Sequence, residues 1–191
     1  MSDAVIASGI VAVAVFGFAP QNKAMLAAGA ERTFRPVLDG MITSICGWLL
    51  LFGIAFVVLQ LLPPWASGVA MFLASVLLAM AGLTRYLADP GNPRQPVMAA
   101  IRPPLPLQQL QSPESWAVTV FLAGSAHSGT VTLAAAFVGL TVLTTFGLGL
   151  WAIAGWSGCQ HLTSGWHRRH LDWAFGILMF VAAIASMVPG P

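Results

Sequence analysis

The chain has 191 residues, of which 58% are hydrophobic and only 7% are charged. A soluble domain carries about 25% charged residues, so this composition excludes an ordinary soluble enzyme. The net charge of +2 offers no basic surface for nucleic acid. We therefore expect an all-α membrane protein, built as a single integral membrane domain over residues 1–191.

Apolar runs recur along the chain, and a helix needs about 20 residues to cross ~30 Å of hydrocarbon. The start of the chain lacks the basic region of a cleavable signal peptide, so we expect the first run to stay as a helix. The fourth run is long enough for two crossings with a turn at the polar cluster 124–130. Six transmembrane helices are predicted. The runs are 4–19, 37–62, 65–88, 116–156 and 171–188.

The basic residues fall in alternate gaps between these runs. Cytoplasmic loops are enriched in Lys and Arg, so both termini are predicted to be periplasmic in a multi-pass protein of the bacterial inner (plasma) membrane. A five-span alternative, with a re-entrant fourth run, would put the last two arginines outside, so the charge bias favours six. The basic residues are Lys23, Arg32, Arg35, Arg85, Arg94, Arg102, Arg168 and Arg169.

A proline-rich segment divides the chain. Residues 89–112 contain six prolines, which favour an extended cytoplasmic linker. The linker separates a first half, 1–88, from a second half, 113–191, with three predicted spans each. An odd number of spans per half inserts the second half upside down, which predicts a 3+3 inverted repeat. No residue-level match between the halves accompanies this topology.

The first predicted helix is interrupted near its cytoplasmic end. Pro20 removes a backbone donor and clashes with the preceding turn, and Gln21 and Asn22 supply amide groups beside the freed backbone. Such backbone is tolerated at membrane depth only inside protein or beside water. The alternative is that Pro20 simply ends a helix and Lys23 snorkels to the interface.

A second interruption opens the fourth helix. Pro113 suits a first helical turn, Ser112 is a candidate N-cap, and Glu114 complements the positive helix end. With one interruption per half, a transporter would place its substrate there. Lys23 and Glu114 would pair across the site, and Glu114 is the candidate for proton coupling. The predicted substrate pathway comprises Pro20, Gln21, Asn22, Lys23, Pro113 and Glu114.

At these interruptions the chain resembles the lysine exporter family (LysE/RhtB) of amino-acid efflux transporters. Members carry a Pro-Gly-Pro-Gln/Asp-Asn signature in the first helix, and residues 18–22 here read Phe-Ala-Pro-Gln-Asn, with Gly29 and Arg32 at matching distances. The family's segment opening the fourth helix is similar to residues 112–116, and its basic last loop resembles 168–176. The resemblance implies a secondary transporter that exports an amino acid or a similar small metabolite.

Departures from the family pattern narrow the expected substrate. Exporters of basic amino acids place one acidic residue in the second helix and one in the fourth. Counted without gaps, those positions are Cys46 and Val118 here, and neither side chain neutralises a cation. The resemblance therefore implies a zwitterionic amino acid or another metabolite. Cys46 and Cys159 lie far apart and are expected to be small core residues rather than a disulfide.

Two alternatives stay open. A non-transporting membrane scaffold or accessory subunit would have a solid core around Asn22, and a metal-ion exporter would bind its ion at His161, His167 and His170. Irregular spacing argues against a dedicated metal site. No phosphate-binding loop or nucleophile–base pair is recognisable, so neither enzyme activity nor a cofactor is expected. The expected partners are a small solute, membrane lipid and, through small-residue helix faces, a second copy of the chain.

Overall fold

The computed structural model describes residues 3–17, 20–87, 109–129, 131–159 and 165–187. Helices are the only regular secondary structure within these ranges. They are α1 (Asp3–Phe16), α2 (Pro20–Ala30), α3 (Phe34–Leu61), α4 (Pro64–Leu87), α5 (Pro113–His127), α6 (Leu133–Trp156) and α7 (Gly165–Met187). A helical turn at 109–111 precedes α5. Residues 89–108 of the predicted linker, 89–112, lie outside the described residues.

Four helices are long and apolar enough to cross a membrane: α3, α4, α6 and residues 169–187 of α7. Taken together, α1 and α2 pass the same test as one span bent by 51°. With 15 residues, α5 is about 22 Å long and falls short of a full crossing by itself. The fold is therefore an all-helical bundle with four candidate spans, or five if the bent pair counts as one.

Two helix boundaries differ from the predicted ones. The turn expected at 124–130 begins only after His127, because Gly124 and Ser125 are helical. The hydroxyl of Ser125 donates to the carbonyl of Phe121 at 3.0 Å, within the same helix. At the other boundary, α7 begins at Gly165, six residues before the predicted run. In its first turns Arg169 stacks 4.8 Å from the ring of Trp173, so a charged segment excluded from the apolar run is helical.

Helix α5, with 15 residues, lies at the centre of the bundle. It contacts α1, α3, α4 and α6. Buried residues surround its axis rather than forming one stripe, as expected for a helix enclosed by protein on all sides. Small side chains allow this enclosure, and Gly124 packs against Met71 of α4. The buried residues are Ser115, Ala117, Val118, Thr119, Phe121, Leu122, Ala123, Gly124 and Ser125.

For three pairs of neighbouring helices, two residue contacts at different depths show the relative direction of the helices. In each pair the helices are antiparallel. By this criterion α3 is antiparallel to α6, and α4 is antiparallel to both α5 and α7. The defining contacts are Met41–Gly149 and Phe52–Phe137 for α3 and α6, Ser75–Ser186 and Gly82–Gly176 for α4 and α7, and Met71–Gly124 and Arg85–Glu114 for α4 and α5.

Helices α2 and α6 cross with their backbones in contact. A Cβ added at Gly29 would overlap the carbonyl oxygen of Ala152, and one added at Gly155 would overlap that of Leu26. Glycine at both positions therefore allows the short helix after the first interruption to pack directly on α6. This crossing fixes the position of α2 relative to the second half.

We expect Gly155→Ala to destabilise the protein by about 1–3 kcal/mol, because the added methyl group meets backbone that cannot rotate away. Gly139→Ala is the matched control in the same helix, since nothing lies within 4 Å of its added Cβ. That change is expected to be neutral or slightly stabilising. Thermal unfolding in detergent compares the two variants, and equal stabilities would contradict the crossing.

Candidate functional site

The first predicted span is interrupted slightly earlier than the sequence indicates, because α1 ends at Phe16 and residues 20–23, where the break was expected, are helical. One segment, α1, ends at Phe16, and Pro20 opens the next, α2, whose axis is bent by 51°. Pro20 thus stands in a first helical turn, where its missing N–H costs little. Gly17 and Asn22 on either side of the bend are buried. The described residues that flank the bend are therefore enclosed by protein.

Asn22 is fully buried and caps the end of α1. Its Nδ2 donates to the carbonyl oxygens of Val15 at 2.7 Å and Gly17 at 2.5 Å. Close by, Nε1 of Trp151 donates to the carbonyl of Phe16 at 3.2 Å. Side chains thereby satisfy carbonyls at the end of the interrupted helix. Oδ1 of Asn22 has no hydrogen-bond partner, so the site retains one buried acceptor.

Gln21 connects the two interruptions. Gln109, in the helical turn before α5, donates from Nε2 to Oε1 of Gln21 at 2.5 Å. Both side chains are buried, and Oε1 of Gln109 has no partner. Nothing in the sequence pattern predicts Gln109, because it stands at the end of the proline-rich linker. Its only signal is the cluster of glutamines at 108, 109 and 111 beside Pro113.

The second interruption is capped as predicted. Oγ of Ser112 accepts the N–H of Ser115 at 3.3 Å. Glu114, in the first turn of α5, forms a bidentate ion pair with Arg85 of α4, in which Nε and Oε1 are 3.2 Å apart and Nη2 contacts Oε2. The side chain of Arg85 is only 18% exposed and that of Glu114 only 29%. Two parallel charge-assisted bonds in a shielded position form a strong link between the halves.

Arg85 also touches the first interruption. Its Nη1 would lie 2.7 Å from a Cβ at Gly17, so the missing side chain leaves room for the guanidinium at the end of α1. The sequence marks Arg85 only as a cytoplasmic charge, since its partner lies 29 residues away beyond the linker. Lys23 is half-buried in α2, and its expected pairing with Glu114 stays a prediction.

Two further polar side chains lie deeper between α3 and α6. Ser44 and Thr144 are fully buried, and neither hydroxyl oxygen has a hydrogen-bond partner. Because the helices are antiparallel and Phe52 contacts Phe137 at 5.0 Å, Ser44 and Thr144 lie on facing helices at nearly the same depth. Buried polar atoms without partners are rare in proteins, so this level of the bundle is a second candidate for solute contact.

The two positions that correspond to the family's acidic residues do not meet. Cys46 is exposed, which corrects the prediction of a small core residue. The buried face of α3 includes Ser44, Gly47 and Trp48, and helical periodicity turns Cys46 away from it. Val118 is fully buried in α5. Cys159 is partly buried after α6.

Among the described residues no group of three potential metal ligands occurs. His170 is exposed, with its ring 5.7 Å from that of Trp173. His161 and the side chain of His167, the other members of the alternative metal site, lie outside the residues that the structure describes.

The fold and site together define an all-helical bundle in which two interrupted helices meet inside the protein. No protein-family model, curated protein or solved structure matches this chain. The resemblance to the lysine exporter family therefore rests on the sequence motifs alone.

Proposed function

We propose that this chain is a secondary transporter of the bacterial inner membrane that exports an amino acid or a similar small metabolite. The observation that carries the proposal is the buried Gln21–Gln109 contact, which joins the interruption before α2 to the one before α5. Discontinuous helices that meet in the bundle interior are the usual setting of solute sites in transporters, where helix ends and freed backbone bind the solute.

Six crossings follow if each interrupted element counts as one, α1 with α2 and the 109–111 turn with α5. The alternating directions of the other helices support this count. The packing supports an inverted repeat in which the first crossing corresponds to α5, α3 to α6, and α4 to α7. When each helix is replaced by its counterpart, the list of helix pairs in contact stays the same. The first crossing packs on α6 and α7, and α5 packs on their counterparts, α3 and α4. Both termini are proposed to be periplasmic, opposite the Arg-rich end.

The free atoms at the site indicate which solute group binds there. The sequence indicates that the amide groups of Gln21 and Asn22 bind the head group of the solute, and of these groups Nδ2 of Asn22 already donates to backbone carbonyls. The partnerless atoms, Oδ1 of Asn22 and Oε1 of Gln109, are acceptors. A hydrogen-bond donor such as an ammonium group complements them. We therefore infer that the amino group of the solute is bound by these two amides.

Besides the packing of α2 on α6, two pairs of polar side chains must separate before the halves move apart at the cytoplasmic end. They are the Arg85–Glu114 pair and the Gln21–Gln109 bond, each joining one half to the other. A proton on Glu114 removes the negative charge that faces Arg85 and favours separation. A proton arriving from the periplasm would thus open the cytoplasmic side, and its release to the cytoplasm would let the pair re-form behind the bound solute.

A metabolite-resolved efflux assay tests this function. Cells with and without the protein are compared, each with and without a proton gradient, and Asn22→Ala serves as the inactive control. We expect at least one small amino-containing metabolite to accumulate outside only when both protein and gradient are present. An unchanged set of external metabolites, with the protein verified in the membrane, would exclude export and favour the scaffold alternative.

A further inference from the structure

An apolar groove of about 450 Å³ opens between α2, α3 and α6 at the Arg-rich end of the bundle. Gly149 lies at its inner end, where Met41 approaches from α3, and Val37 forms part of its wall. Phe34 and Trp156 at the rim are 74% and 64% exposed. The groove is continuous with the apolar outer surface of the helices, so a hydrocarbon chain in the membrane has direct access to it.

Arg32 lines the mouth of this groove on an unusual backbone. In a Schellman motif at the end of α2, Thr33 N–H donates to the carbonyl of Ala28 at 3.3 Å and Arg32 N–H to that of Gly29 at 3.0 Å. Arg32 has a φ of 55°, in the left-handed region where glycine is normally preferred. A strained backbone position that carries a cation directs attention to function.

Among the described residues that line the groove, Arg32 is the one that carries a charge. Arg35 is paired with Asp39 at 3.9 Å, and neither of them lines the groove, nor does Glu31. Guanidinium groups recognise phosphate well, and basic pockets between membrane helices on the cytoplasmic side suit anionic lipids. We propose that this groove binds an anionic phospholipid, with one acyl chain between α3 and α6 and the phosphate on Arg32.

Arg32→Gly separates this role from a structural one. Glycine removes the cation and relaxes the left-handed backbone, so the purified variant should be at least as heat-stable as the native chain in detergent alone. Phosphatidylglycerol should raise the melting temperature of the native chain and leave that of Arg32→Gly unchanged. Arg32→Lys should keep part of the shift, and Arg35→Gln, which changes a neighbouring arginine outside the groove, should keep all of it.

In the thermal-shift measurements, three results would overturn the lipid assignment. They are an equal shift with phosphatidylcholine, an equal shift with free glycerol phosphate, and a retained shift in Arg32→Gly. Native mass spectrometry adds a direct readout, in which phosphatidylglycerol should stay bound to the native chain and be lost from Arg32→Gly. A dimer in place of the lipid adduct would assign the groove to a second copy and would also overturn the proposal.

Filling the groove provides an independent variant. Gly149→Leu keeps Arg32 and occupies the inner end beside Met41, whereas Gly139→Leu makes the same change in α6 away from the groove. Only Gly149→Leu should lose the phosphatidylglycerol shift, and loss in both or in neither would count against the proposal. These measurements contain no solute, so their failure would leave the proposed export untouched, and a failed export assay would leave lipid binding untouched.

Discussion

Asn22→Ala is expected to abolish export and to destabilise the protein by about 2–6 kcal/mol, because two buried carbonyls lose the donor that satisfies them and each such loss costs about 1–3 kcal/mol. The carbonyls are those of Val15 and Gly17 at the end of α1. Insertion into the membrane should persist, since the change removes no apolar residue. Export from cells and unfolding in detergent measure the two effects.

Two variants control this prediction. Asn22→Asp keeps the shape of the side chain but removes both N–H donors, so it should fail like alanine. Thr119→Val removes an equally buried polar group whose hydroxyl bonds only carbonyls of its own helix, at 2.9 and 3.0 Å. It should retain export and lose no more than about 1 kcal/mol. Native export by Asn22→Ala would show that the interruption is no part of the solute path.

Glu114→Gln should reduce export driven by a proton gradient at least tenfold while leaving solute exchange measurable. The amide cannot take up and release the proton, and it leaves the Arg85 guanidinium without its counter-charge. Losing one partner of a buried pair costs about 3–5 kcal/mol, and the partial exposure of this pair reduces the expected loss of stability. Proteoliposomes with an imposed pH gradient separate driven export from exchange.

Asp39→Asn is the matched control for the charge change. Its pair with Arg35 has side-chain exposures of 69% and 93%, and such surface pairs contribute about 0–1 kcal/mol. Export by this variant should stay at the native rate. Exchanging the charges in the double variant Arg85→Glu, Glu114→Arg should recover part of the stability lost in Glu114→Gln. Undiminished gradient-driven export by Glu114→Gln would remove Glu114 from proton coupling.

Local chemistry made several features predictable from sequence. Pro113 sets the start of α5 through its fixed backbone, and Ser112 caps this helix as its position indicates. Pro20 was expected to break a helix, and it opens α2 instead. Apolar run length located α3, α4 and α6 to within a few residues. The end of α5 was misplaced because Gly124 and Ser125 look like turn residues, whereas tight packing on α4 and an internal hydrogen bond keep them helical.

The central contacts of the site were beyond sequence reasoning because they join residues far apart in the chain. Arg85 meets Glu114 and Gln21 meets Gln109 only after the bundle has assembled across the linker. Even for Asn22, which the motif singles out, the sequence did not show which of its amide groups, donor or acceptor, is available to solute. In the folded chain the carbonyls of α1 bind these donors first, because they lie within the same segment and need no ligand.

Cysteine accessibility at the depth of Ser44 and Thr144 tests the central claim most directly, namely that a water-filled path leads past the interrupted helices. In a chain with Cys46 and Cys159 replaced by serine, Ser44→Cys and Thr144→Cys are treated with a membrane-impermeant thiol reagent during transport. We expect both to react, more slowly when excess solute is present, while Leu148→Cys, an equally buried residue of α6, stays unreactive. If all three stay unreactive, the interior is dry and solid, and no solute passes through it.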